Sequence, residues 1–247
     1  MNAQIPPRSN SEFADVISQS FQAFLDTNSR STQKLKPLHG AIATDLARML
    51  GADYKIKSQG YEEGREAQIN GRYVNKNVDV TILHNDEPVA GVSIKFIMEN
   101  FSQNAMNYFE IMLGETANIR SNGVPYFQVI ILFDSIPHYK YKKDKNNNHR
   151  LIIDHWERFS ADNAERYVKL SQDNPELYKH TPDKTLIIIV HISENKTLKD
   201  KSEYVSFYKE NTTVELSLQE APFFDNGVIY NDYESFMWKI YHKIMSL

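Results

Sequence analysis

The sequence predicts an α/β protein in which a mixed sheet lies between helices. Residues 126–133 and 185–192 are continuous apolar runs bounded by turn residues, a pattern typical of parallel strands covered on both faces. Residues 67–96 contain shorter strand segments at close spacing, which predict an antiparallel meander. Segments with helical periodicity separate these groups, and 247 residues are enough for one domain of this kind.

Two amphipathic helices are predicted before the sheet. Residues 11–25 repeat aromatic and aliphatic side chains at helical spacing, and Ser11 is placed to cap this helix. Residues 37–50 predict a second helix, which Gly51 ends. Residues 1–10 carry two prolines and are expected to form an arm without regular structure.

The next segment predicts a first strand followed by a β-hairpin. Residues 67–74 are the first strand, and residues 77–96 form two strands around the polar turn 84–88. Asp79 lies early in one arm of the hairpin, and Lys95 lies late in the other. Because the arms are antiparallel, we expect this carboxylate and this amine to lie side by side. Both residue types are uncommon inside strands.

Residues 100–120 predict a helix with two different sides. Its apolar stripe consists of Phe101, Ala105, Tyr108, Met112 and Ile119, and another side carries Gln103, Asn107, Glu110 and Gly114.

The remaining elements complete one predicted domain over residues 1–247. After the strand at 126–133 we expect a loop at 138–150, a helix at about 154–170, the strand at 185–192, a strand at 213–218 and a last helix with Phe236, Ile240 and Ile244 on one stripe. The core is expected at about residues 37–192, with the helix 11–25 and the segment 213–246 as appendages.

Composition excludes several classes of protein. There is no cysteine, which rules out disulfide scaffolds, thiolate zinc sites and cysteine nucleophiles. No apolar run approaches the roughly 18 residues of a membrane span, and the first residues lack the apolar segment of a signal peptide, so we expect a cytoplasmic protein. The net charge of −4 argues against coating nucleic acid by bulk attraction, but it allows a locally basic cleft.

The pair Asp79 and Lys95 suits phosphodiester cleavage. A carboxylate can hold Mg²⁺, which polarises a phosphate and activates a bound water. A nearby lysine can orient that water or stabilise the charge that develops on the phosphate. The alternative is an ordinary ion pair between two strands.

These residues resemble the motif of the PD-(D/E)XK nuclease superfamily, which includes type II restriction endonucleases. The match consists of Val78-Asp79 and Ser93-Ile94-Lys95, and the order of elements over residues 37–192 is also similar. The resemblance implies a Mg²⁺-dependent endonuclease that cleaves double-stranded DNA as a homodimer. Asp79 would hold the metal ion, and Lys95 would serve the attacking water.

The chain departs from the motif at two positions. Val78 replaces a proline, which is a mild change, whereas Ser93 replaces an acid and so removes a metal ligand. A restriction-enzyme subset with this serine recruits a glutamate from the next helix, which implies Glu110, 15 residues after Lys95, as the catalytic and metal-binding acid. Ser93 would add at most a supporting hydrogen bond. The rival acids are Glu115 and, before the first strand, Glu62, Glu63 and Glu66.

Two groups of side chains are candidates for DNA contact. Amides can read base edges, and lysines can bind phosphates; each group can also be an ordinary surface feature, and amides can also join helices in a dimer. The eight histidines show no paired spacing, so each is expected to be a surface or packing residue. The candidates are the amides Asn100, Gln103, Asn104 and Asn107 and the lysines Lys140, Lys142 and Lys143.

The sequence leaves other functions open. A module of the same fold could bind nucleic acid or protein without cleaving it, because an acid is missing at Ser93. A repair or junction nuclease is a close alternative to a restriction enzyme. In an unrelated α/β protein, Asp79 and Lys95 would merely form an ion pair.

Overall fold

The computed structural model describes residues 5–27, 31–62, 64–143, 149–220 and 223–247. Its helices are α1 (Asn10–Asp26), α2 (Lys36–Leu50), α3 (Phe101–Arg120), α4 (Ala161–Gln172), α5 (Lys201–Asn211) and α6 (Tyr233–Met245). Its strands are β1 (Tyr54–Ser58), β2 (Ala67–Ile69), β3 (Lys76–Val78), β4 (Val80–His84), β5 (Glu87–Ile97), β6 (Tyr126–Phe133), β7 (Ser135–Lys143), β8 (His149–Arg158), β9 (Lys184–His191), β10 (Glu215–Leu216) and β11 (Val228–Tyr230).

A mixed sheet of seven strands runs through the described residues, in the order β1-β4-β5-β6-β9-β10 with β11 also on β9. The strands β1, β4 and β5 pair antiparallel, and β5, β6 and β9 pair parallel. Every residue of β6 is buried, as expected for a parallel strand covered on both faces. The predicted α/β class with a mixed sheet between helices is therefore confirmed.

The helices form where apolar residues recur at helical spacing, and capping side chains set their starts. Helix α1 begins at Asn10 because Ser9, not the predicted Ser11, accepts a hydrogen bond from the backbone of Glu12 in a capping box. Helix α2 ends at Gly51, which adopts a positive φ of 80°. On α6 the predicted stripe of Phe236, Ile240 and Ile244 is buried.

The meander uses a different first strand from the predicted one. Tyr54–Ser58 pairs with β4, whereas Ala67–Ile69 pairs with Lys76–Val78 in a small separate sheet. The predicted strand 67–74 stops early because the side chain of Asn118 on α3 binds the backbone that follows. Its amide accepts from the N–H groups of residues 73 and 74 at 2.9 and 3.2 Å and donates to the carbonyl of residue 74 at 2.8 Å.

The segment between β6 and β9 is also different from the prediction. Instead of a loop at 138–150 and a helix at 154–170, β7 and β8 form an antiparallel hairpin, and α4 begins only at Ala161. In β7, Tyr139 and Tyr141 alternate with Lys140 and Lys142, which suits a strand. The capping box of Ser160 with Asn163 then starts the helix. Residues 144–148 of the predicted basic loop lie outside the described residues.

The predicted apolar stripe of α3 is nearly correct. Phe101, Ala105, Met112 and Ile119 are buried, whereas Tyr108 is 36% exposed. Within the described residues, no helix combines the length and the apolar character that a membrane crossing requires.

Candidate metal centre

Asp79 lies at the bend between β3 and β4, where it is fixed against two neighbouring strands. Its Oδ2 accepts a hydrogen bond of 2.6 Å from the backbone N–H of Ile94, and its carbonyl accepts one of 2.6 Å from the hydroxyl of Ser58. The carboxylate of Asp79 is thus held against β5, at the residue that precedes Lys95. It keeps 21% exposure, so its second oxygen, Oδ1, is available to a ligand.

His39 and Glu66 join Asp79 in a group that we call the Asp79 cluster. Each of the three residues offers one ligand atom, and these atoms all lie within 4.8 Å of one another. Nε2 of His39 is 4.0 Å from Oδ1 of Asp79. The three side chains come from the first turn of α2, from the segment before β2 and from the bend before β4. This group of two carboxylates and an imidazole could hold a metal ion.

His39 is buried without a hydrogen-bond partner. The residue is 3% exposed, and neither ring nitrogen has a partner among the described residues. Burial lowers the pKa of His39; the charge of Asp79 opposes this effect, and that of Lys95 adds to it. The imidazole is therefore held in its neutral form, which carries a lone pair. Buried polar atoms usually have partners, so these nitrogens are suited to bind a ligand.

Glu66 is the second carboxylate of the cluster. Its Oε1 accepts a hydrogen bond of 2.9 Å from the side-chain amide of Gln59. Burial and the negative charge of Asp79 raise the pKa of Glu66, although Gln59 and Lys95 act in the other direction. A buried carboxylate next to a second carboxylate is typical of a site that binds a cation.

Lys95 lies beside the cluster without forming an ion pair. It is half-buried on β5, and no carboxylate oxygen of the described residues lies within 4.0 Å of its Nζ. Its charge nevertheless acts on both His39 and Glu66. The simple strand-to-strand ion pair of Asp79 with Lys95 is therefore not observed, and the amine remains close to the place where a ligand would bind.

The structure does not bring Glu110 into this cluster. Glu110 is exposed on α3, on the same side as the exposed Gln103 and Asn107, because the apolar stripe of that helix turns the other way. The rival Glu115 is half-buried, and its Oε1 pairs with Lys76 at 2.7 Å. Its Oε2 is buried and has no partner among the described residues. Glu66, named only as an alternative acid, occupies the position expected of Glu110.

The other alternative acids are less well placed. Glu62 is exposed, and Glu63 lies outside the described residues. Ser93 is 1% exposed, and its hydroxyl has no hydrogen-bond partner among the described residues. Alternation along β5 places Ser93 and Lys95 on the same face of the sheet. Ser93 thus contributes a hydroxyl to this face of the sheet, but no carboxylate.

The residues expected to contact DNA differ in their exposure to solvent. Gln103 and Asn107 are exposed, as are Lys142 and Lys143 at the end of β7. Lys140 is also exposed but pairs with Asp154 at 2.8 Å.

Two of the expected amides are less accessible. Asn104 is half-buried. Asn100 precedes α3 with a φ of 50°, and its Oδ1 accepts a hydrogen bond of 2.8 Å from the backbone N–H of Tyr139. Asn100 therefore holds the hairpin to the helix.

His39 is the member of the cluster that the sequence did not suggest. It occurs within the apolar side of α2, between Leu38 and Ala41, where a histidine most often serves packing. The one available signal is this burial of an ionisable side chain on a predicted helix.

Comparison with known proteins adds no relative. No family model matches the chain, and no curated protein or solved structure shows significant similarity to it.

Proposed function

We propose that this protein is a divalent-metal-dependent endonuclease that hydrolyses phosphodiester bonds of double-stranded DNA, as type II restriction endonucleases do. The observation that carries the proposal is the Asp79 cluster beside Lys95. Two carboxylates and a neutral imidazole converge there, next to an amine that forms no ion pair with any described residue. The resemblance of Val78-Asp79 and Ser93-Ile94-Lys95 to the PD-(D/E)XK motif supports the same chemistry.

The residues present fit a hard divalent cation. Asp79 and Glu66 would supply oxygen ligands for Mg²⁺, and His39 adds a nitrogen ligand that also suits Mn²⁺. When bound, the ion polarises a phosphate and lowers the pKa of a water ligand. Lys95 would stabilise the negative charge that develops on the phosphate and orient the attacking water. The hydrogen bond from Ile94 to Asp79 keeps one ligand rigid, which favours a preorganised site.

The DNA contacts belong to the same proposal. The exposed amides Gln103 and Asn107 on α3 suit base edges, and the exposed Lys142 and Lys143 suit phosphates. A net charge of −4 means that such local groups would have to supply the attraction. A homodimer would match a palindromic site, because a two-fold axis in the protein then coincides with that of the DNA.

Nicking of supercoiled plasmid tests the proposal. We expect the full chain to cut in Mg²⁺ or Mn²⁺ and to be inactive in EDTA. Lys95→Ala is expected to lower the cleavage rate by about 10²–10³-fold, the typical effect of removing one transition-state contact. The matched control is Glu110→Gln, which alters an exposed acid outside the cluster and should retain activity. Equal rates for the wild type and Lys95→Ala would contradict the assignment.

A binding module without catalysis is the second candidate, because Ser93 stands where the resembling enzymes have an acid. If the protein is such a module, it will retard DNA in a gel-shift assay but leave the plasmid uncut with every divalent metal ion tested. Cleavage of branched but not linear duplexes would instead indicate a junction nuclease.

A further inference from the structure

The hairpin of β7 and β8 carries a second group of ligand atoms, which shares no residue with the Asp79 cluster. The strand register places His138 directly opposite His155, and their rings stack at a centroid distance of 4.8 Å with 15° between the planes. Glu157 lies two residues beyond His155 on the same face of β8. The two histidines are far apart in the chain, and only the hairpin brings them together.

Carboxylates orient both imidazoles. Nδ1 of His155 is 2.9 Å from Oδ2 of Asp154, and Nδ1 of His138 is 2.6 Å from Oε1 of Glu157. An ionised carboxylate only accepts hydrogen bonds, so each Nδ1 carries the proton and the Nε2 of a neutral ring keeps its lone pair. Asp154 is thus placed as the outer-shell carboxylate that usually accompanies a metal-binding histidine.

Glu157, on β8, is hydrogen-bonded to the first turn of α3. It is 8% exposed, and it accepts hydrogen bonds from the hydroxyl of Ser102 and, at 3.1 Å, from the backbone N–H of Ser102. The hairpin therefore meets the helix through Glu157 and through the contact of Asn100 with the backbone of Tyr139. A ligand held by Glu157 and the two histidines would lie at this junction.

We propose that His138, His155 and Glu157 form a binding site for a divalent transition-metal ion such as Zn²⁺. Each residue offers one ligand atom, and the three atoms lie within 4.8 Å of one another. Two imidazoles and a carboxylate are a donor set that Zn²⁺ prefers, whereas Mg²⁺ prefers oxygen ligands alone. His155 is 53% exposed, so an ion in solution can reach its ring. Asp154 is the positioning residue that orients His155.

Metal binding at this site would stiffen the hairpin against α3. The hairpin presents Lys140, Lys142 and Lys143, and α3 presents Gln103 and Asn107. A metal ion at the junction would therefore set the relative position of the basic strand and the amide-bearing helix. The site is structural in this sense and requires no catalytic activity of the Asp79 cluster.

Titration of the full chain with Zn²⁺ by calorimetry, and with Co²⁺ by visible absorption, tests the proposal. We expect Zn²⁺ binding and tetrahedral Co²⁺ bands that persist in Asp79→Asn, which removes a ligand of the other cluster. His155→Ala is expected to weaken binding at this site at least tenfold, and Asp154→Asn to weaken it by about tenfold. His149→Ala, which removes an exposed histidine of the same hairpin, is the matched control and should bind normally.

The half-exposed position of His155 makes its variant suitable, because truncation there leaves the core intact. Circular dichroism checks the fold, and thermal melting adds a second readout: Zn²⁺ should raise the Tm of the wild type more than that of His155→Ala. Binding of Zn²⁺ that is lost in Asp79→Asn and unchanged in His155→Ala would overturn the proposal, as would the absence of any Zn²⁺ binding.

Discussion

Glu66 ionises close to the negative charge of Asp79, and this repulsion has a measurable consequence. Burial and Asp79 raise the pKa of Glu66 in the folded protein. The folded state therefore holds its proton more tightly than the unfolded state does, and stability falls as the pH rises through the folded pKa. Above its folded pKa, the ionised Glu66 thus destabilises the protein.

We predict that Glu66→Gln raises the Tm of the metal-free protein at neutral pH. The gain should shrink as the pH falls and vanish below about 4.3, the ordinary pKa of a glutamate, because the wild-type side chain is then protonated in both states. Thermal melts in EDTA across this range measure the effect. Saturating Mn²⁺ should stabilise the wild type more than the variant, and a variant that is less stable than the wild type in EDTA at every pH would contradict the account.

The residues of the Asp79 cluster differ in how strongly the sequence pattern marks them as functional. Asp79 and Lys95 stand out because charged residues are uncommon inside strands, and the hairpin pattern relates them. His39 and Glu66 carry no such signal, since their positions depend on how α2 and the segment before β2 pack around the bend at Asp79. Glu110 lies on the exposed side of α3, outside the cluster, because its spacing from Lys95 does not specify which side of the helix faces solvent.

At the scale of elements, two glycines join α2 to the segment that carries Glu66. A Cβ on Gly40 would lie 2.4 Å from the carbonyl oxygen of Gly60, and a Cβ on Gly60 would lie 2.3 Å from that of Lys36. Gly60 also has a φ of 79°. The backbones approach too closely for any side chain, and this contact holds the segment near the helix turn that carries His39.

We predict that Gly60→Ala destabilises the protein more than Gly51→Ala does. Both residues have positive φ, so both substitutions cost about 1–2 kcal/mol of backbone strain. A Cβ at Gly51 meets no atom within 4 Å, whereas one at Gly60 overlaps the backbone of α2. Urea denaturation compares the two free energies of unfolding. Equal losses would show that the close approach does not constrain the segment.

Elements with strong periodicity were predictable, and those defined by tertiary contacts were not. The apolar run of β6 and the stripes of α1 and α6 come from local patterns, and the structure has them within one or two residues. The β7 and β8 hairpin is not predicted, because its charged residues indicate a loop and its alternation is short. Strand β1 is not predicted, because the pattern of residues 67–74 indicates the first strand of the meander there.

At the scale of the whole molecule, a buried ion pair connects distant parts of the chain. Nε of Arg120, at the end of α3, donates to Asp183 at 2.8 Å, and both side chains are 6% exposed. The same guanidinium donates to the carbonyl of Thr181 at 2.8 Å, and Asp183 accepts from the backbone N–H of Tyr126 at 3.0 Å. The network thus holds α3, the start of β6 and the segment before β9 together.

We predict that Asp183→Ala lowers the free energy of unfolding by roughly 3–5 kcal/mol, because it leaves the guanidinium of Arg120 buried without a counter-charge. The control is Glu165→Ala, which removes an exposed partner of Lys169 on α4 at 2.7 Å and should cost less than about 1 kcal/mol. Chemical denaturation of both variants measures the difference. Similar stabilities for the two would mean that the buried network does not join the elements.

The whole-molecule architecture followed from composition and pattern: an α/β fold with a mixed sheet between helices. What the sequence could not provide is the convergence of side chains, because that depends on the crossing of α2 over the meander and on the bend at Asp79. The same holds for the hairpin histidines, which only strand pairing brings together.

The most direct measurement of the central claim is an anomalous difference map from a crystal soaked in Mn²⁺. The account predicts a peak bonded to the carboxylates of Asp79 and Glu66, within ligand distance of His39 and close to the amine of Lys95. A crystal saturated with Mn²⁺ that shows no peak between these side chains, or a peak held by Glu110 instead, would contradict it.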